Sequence, residues 1–71
     1  MKSIDLLIYE LIFSERTIYK IDVSEYVLDI YEYEDFVLEI KSVLKKSKVG
    51  IIKSNVMVDS KTVMWELKVK K

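Results

Sequence analysis

Apolar residues at Ile4, Leu7, Ile8, Leu11 and Ile12 follow the i, i+3, i+4, i+7, i+8 spacing of a helix that buries one face. Ser3 stands where such a helix needs its cap. Leu6, Tyr9 and Phe13 form a second apolar stripe on the opposite side, so this helix is either sandwiched in the core or carries an interface. In so short a chain an interface is the reading adopted. Ser14-Glu15-Arg16-Thr17 breaks the pattern, and Thr17-Ile18-Tyr19 is β-prone enough to add a short strand. Asp22 or Ser24 can cap a second helix running to Tyr31, with Val23, Val27, Ile30 and Tyr31 apolar. After an irregular turn at Tyr31-Glu32-Tyr33-Glu34, Asp35 caps a third helix from Phe36 to Ser47. Phe36, Val37, Ile40, Val43 and Leu44 share one face of that helix; Asp35, Leu38, Glu39, Ser42, Lys45 and Lys46 share the other.

Beyond Gly50 the period changes from 3.6 to 2. Val63, Trp65, Leu67 and Val69 alternate with Met64, Glu66, Lys68 and Lys70, as in a half-buried strand. Ile52, Ser54, Val56 and Val58 can pair on the same face across a turn at Asp59-Ser60-Lys61-Thr62, with Trp65 as a core anchor. Gly50, the only glycine, is expected where the helix exit needs φ > 0 or a close approach. The fold class that follows is α+β: one small domain over residues 1–71, three helices followed by a C-terminal β-hairpin. An alternative pairs residues 4–13 with 17–23 as a hairpin and gives ββαββ. Its weakness is the poor alternation within 4–13.

Composition narrows the chemistry. At 71 residues, with no Cys and no His, neither a disulfide nor a structural zinc can staple the fold, so packing must hold it and a homodimer would help. The same absences remove the commonest acid–base, nucleophilic and soft-metal sites. A single glycine leaves no phosphate loop. The acids of Tyr31-Glu32-Tyr33-Glu34-Asp35 lack the spacing of a calcium loop. No enzyme, cofactor or metal is expected. The run Ile4–Phe13 is interrupted by Asp5 and Glu10, and nothing reaches the length of a membrane span, so a cytoplasmic protein is expected.

Net charge is zero, but unevenly so. Residues 1–40 hold ten acids against Lys2, Arg16 and Lys20, giving 3 − 10 = −7; residues 41–71 hold nine lysines against Asp59 and Glu66, giving 9 − 2 = +7. A basic half suits a polyanion; an acidic half suits a basic protein.

The expected order, with Val23-Ser24-Glu25-Tyr26 opening the second helix, Val37, Ile40 and Leu44 in the third, and Val49-Gly50-Ile51-Ile52 leading into the hairpin, resembles the winged helix-turn-helix superfamily. The resemblance implies a third helix in the DNA major groove and a wing on the backbone. By position it implies base contacts from Leu38, Ser42, Lys45 and Lys46 and phosphate contacts from Lys41, Lys48, Lys53 and Lys61. Asp35, Glu39 and nearby Glu34 oppose such an entry, and Arg16 is the only arginine. The first function expected is therefore a small, dimeric, transcription-regulator-like protein binding double-stranded DNA. The alternative is a protein-interaction module or inhibitor of viral or mobile-element type, acting through the acidic half and through Leu6, Tyr9, Phe13 and Leu38.

Overall fold

Strand β3 (Val63–Lys70) carries the strict alternation, and it takes the central place in a three-stranded antiparallel sheet ordered β1-β3-β2. The computed structural model describes residues 1–71, in the order α1 (Ile4–Phe13), β1 (Ile18–Asp22), two 3₁₀ turns (Val23–Glu25 and Ile30–Glu32), α2 (Tyr33–Lys46), β2 (Gly50–Val58) and β3. One sheet face receives α1 and α2. The buried cluster takes Val63, Trp65, Leu67 and Val69 from β3, Tyr19 and Ile21 from β1, Leu7 and Leu11 from α1, and Phe36, Val37, Ile40 and Leu44 from α2. Trp65 sits opposite Ile21 on one side and Val56 on the other. The Phe36 ring meets it edge-on, and its indole N–H donates to Ser54 Oγ at 2.9 Å. Burying so large a ring requires that polar partner.

The hairpin forms as expected. Ser54, Val56 and Val58 stand opposite Leu67, Trp65 and Val63, and Asp59 N–H closes the turn on Thr62 O. Ile52 falls at a bulge between Ile51 and Lys53 and leaves the ladder.

The expectation of three helices followed by a hairpin is overturned: there are two helices, and the hairpin is two-thirds of a sheet completed by β1. The segment expected to be the second helix consists of the two 3₁₀ turns. Asp22 Oδ1 accepts from Ser24 N–H, and Asp29 Oδ1 from Tyr31 N–H. These local bonds compete with helical ones, and Val23 is the only residue of the two turns that is fully buried. The third helix is α2. It starts at Tyr33, so Asp35 lies inside its first turn and does not cap it. The ββαββ alternative also fails, because residues 4–13 are helical and β1 pairs with β3.

In α1, Ser3 Oγ accepts from Leu6 N–H at the N-terminus. At the other end Lys71 Nζ reaches the carbonyls of Glu10, Ser14 and Arg16 and the Tyr19 hydroxyl. A cation at a helix C-terminus is electrostatically favoured. Leu11 is 0% exposed on the inner stripe and Leu6 71% exposed on the outer one. Leu11→Ala is expected to cost about 2–5 kcal/mol of stability and Leu6→Ala to stay within about 0.5 kcal/mol. Chemical denaturation checks this; the larger loss at Leu6 would mean that α1 is docked the other way round.

Candidate nucleic-acid interface

The connection from α2 to β2 is three residues long, so α2 runs back over the sheet and its C-terminus lies at the start of β2. β2 and β3 are antiparallel, with Gly50 opposite Lys70 and Lys53 opposite Lys68. The end of α2, the start of β2 and the end of β3 therefore meet at one end of the molecule. The lysines they carry meet with them.

Lys41, Lys45 and Lys48 line one notch of about 460 Å³, floored by Val49, Gly50 and Ile51. Lys41 and Lys45 belong to the same helical stripe as Glu34 and Leu38, which flanks β2. Ser42 and Lys46 lie on the other exposed flank with Asp35 and Glu39. On the open sheet face Lys53 makes a loose ion pair with Glu66 at 3.9 Å and stands beside Lys68. Lys61 is separated from all of these, in the hairpin turn at the opposite end of β2. Lys68 and Lys70 join the basic end although neither was among the expected contacts; carrying the β3 alternation through the hairpin register would have found them. Glu15 is an acid at this end, beside Lys68, Lys70 and Lys71.

Most acids gather elsewhere. Glu34 and Asp35 occupy the first turn of α2, Glu25 the first 3₁₀ turn, and Asp59 the hairpin turn. At that end Lys2 pairs with Glu25 at 2.7 Å, and this hydrogen bond and charge hold its ammonium above the ordinary lysine range. The Tyr33 hydroxyl donates to Glu34 at 3.1 Å, which raises it above the usual phenol range. No group of three carboxylates is assembled to hold a metal ion.

The helix exit is built on Lys48, not Gly50. Lys48 has φ 61° and Gly50 has no positive φ. Val49 N–H donates to Leu44 O, Lys48 N–H donates to Lys45 O, and Val49 and Leu44 are both buried. These are the two bonds and the apolar contact of a Schellman cap. A β-carbon on residue 50 would meet only Lys70, at 3.6 Å or more, an ordinary contact. The left-handed position thus holds a lysine where glycine would fit without strain.

The expected interface residues split into two groups. Leu6, Tyr9 and Phe13 form an exposed stripe on α1, with the Tyr9 and Phe13 rings 4.9 Å apart. Leu38, 64% exposed, lies beside β2, where Tyr33, Val37, Leu38 and Val56, with Glu34 as the one charged member, line a mostly apolar cleft of about 220 Å³.

Comparison with protein-family models, with curated proteins and with solved structures gave no match. No helix is long and apolar enough to cross a membrane.

Lys48→Gly is expected to stabilise the fold by about 1 kcal/mol by relieving the left-handed strain, raising Tm by roughly 4–8 °C. Thermal unfolding checks it. A fall in Tm would mean that the Lys48 side chain contributes more to the fold than its backbone costs.

Proposed function

We propose that this chain is a small, transcription-regulator-like protein of the cytoplasm that binds double-stranded DNA through its basic end. The observation that carries the proposal is the convergence of Lys41, Lys45 and Lys48 on one notch, with Lys53, Lys68 and Lys70 on the adjoining strands. The strained lysine adds support. A backbone conformation that costs free energy is tolerated where it places a charge, and Lys48 holds that charge at the rim of the notch.

The proposed mode differs from the one the winged-helix resemblance implies. There the leading turn of a helix enters the groove; here that turn bears Glu34 and Asp35, while the lysines lie at the trailing end. Contacts through lysine ammonium groups fall on phosphates, which fix position and supply most of the non-specific affinity. The reading rests on charge geometry and not on the resemblance.

A titration against a random 30-base-pair duplex at two salt concentrations tests it. Non-specific binding is expected with Kd of roughly 10⁻⁴–10⁻⁶ M near physiological salt, tightening steeply as salt falls. Lys41→Glu/Lys45→Glu is expected to abolish it, and Lys48→Gly to weaken it with a salt slope lower by about 0.9. Absence of binding at low salt would refute the proposal.

A second reading, a module that binds a protein partner, is favoured by the exposed Leu6–Tyr9–Phe13 stripe. Its readout is opposite: affinity for that partner would survive Lys41→Glu/Lys45→Glu and fall with Leu6→Ser/Phe13→Ser.

A further inference from the structure

The two edges of the sheet differ. β1 is five residues long and carries Lys20 and Asp22. β2 is nine residues long, has no proline, bears one charge at Lys53, and is exposed along nearly its whole length. A long edge with so little protection is a template for another strand. The bulge between Ile51 and Lys53 ends its regular part, leaving Lys53 to Val58 as the pairing segment.

The direction of its backbone groups follows from the turn. Asp59 N–H donates to Thr62 O, so these residues form a hydrogen-bonded pair. Alternation makes Met57–Met64 and Asn55–Glu66 the next such pairs. Ser54, Val56 and Val58 consequently aim their amide and carbonyl groups at the free edge.

We propose that β2 pairs antiparallel with β2 of a second copy of this chain, with Val56 on the two-fold axis. In this register Val56 faces Val56, Ser54 faces Val58, Asn55 faces Met57, and Lys53 faces Asp59 of the second copy. The three outward-facing pairs supply about six backbone hydrogen bonds. Opposite charges meet at both ends, and Asp59 has an oxygen to spare, since only Oδ1 is used on Ser60 N–H. Neighbouring registers lose this match. Shifting the axis to Asn55 sets Lys53 against Met57, and shifting it to Met57 sets Lys53 against Lys61.

Two further features point to the same occupant. The cleft of Tyr33, Val37 and Leu38 opens beside Val56 on the core side of the edge. A two-fold axis at Val56 joins the clefts of both copies into one strip, apolar apart from Glu34 at its margin, that covers Leu38. Each molecule also has a basic and an acidic end, and antiparallel pairing sets the basic end of one beside the acidic end of the other. Lys61 is the exception, a cation of the acidic end that this pairing carries towards the lysine notch of the second copy. The proposal does not depend on DNA binding.

Sedimentation of the full chain at about 100 μM, a concentration that populates dimers of micromolar Kd, provides the test, with circular dichroism to verify the fold of each variant. The wild type is expected to be a dimer that loosens with salt. Asp59→Lys is expected to weaken it about tenfold or more, Lys53→Asp/Asp59→Lys to restore it, and Val56→Lys to abolish it. A monomeric wild type overturns the proposal, as does a dimer that survives both Asp59→Lys and Val56→Lys. Failure of the double swap to restore the dimer overturns the register. A dimer lost in Leu6→Ser/Phe13→Ser but kept in the β2 variants places the interface on α1 instead.

Discussion

Everything in this fold depends on β3 being flanked on both sides while Trp65 is buried beneath a helix. The indole is 0% exposed and is fixed by Ile21 and Val56 in the sheet, by Phe36 above, and by the Ser54 hydroxyl on its one polar atom. With no cysteine for a disulfide and neither cysteine nor histidine for a structural zinc, packing of this kind must hold the fold. β1 and β2 touch each other nowhere in the sheet order, so the sheet exists only through β3.

That topology also sorts the charges. An uneven sequence need not give an uneven molecule, because folding can interleave acids and bases. Here α2 reads acid-to-base along its axis and returns directly over an antiparallel hairpin whose open end bears Lys53, Lys68 and Lys70. The helix dipole favours the same arrangement, with acids at its start and lysines at its end. One arrangement thus satisfies helix stability and leaves a concentrated positive surface.

How much of this was legible depended on whether the controlling interactions were local. The hairpin, its turn and its inward set were readable because period-2 alternation and a four-residue turn lie within twenty-one residues of one another. The inward stripes of α1 and α2 were readable for the same reason, at period 3.6. The supposed second helix was not. Val23, Val27 and Ile30 have helical spacing, but periodicity counts side chains and overlooks Asp22 and Asp29 taking the backbone N–H groups for themselves. The partner of β1 was invisible because Ile18 meets Lys68 across fifty residues. Among the lysines, the convergence of Lys41, Lys45 and Lys48 could be read because they are close in sequence. That Lys61 lies apart from them while Lys68 and Lys70 lie near them could not, because a hairpin carries its turn away from the end where its strands begin and finish. Gly50 attracted the helix-exit role on residue type alone, while Lys48 adopts that conformation.

Of the three strands, the central one also comes last in chain order. Until β3 leaves the ribosome, β1 and β2 have no strand to pair with, and the inner faces of α1 and α2 have no sheet to cover. Pairings as distant as Thr17 with Val69 carry a loop-closure cost that slows folding relative to helical proteins of similar size. Assembly of the sheet therefore waits for β3, and the apolar stripes of α1 and α2 stay uncovered until that strand is made.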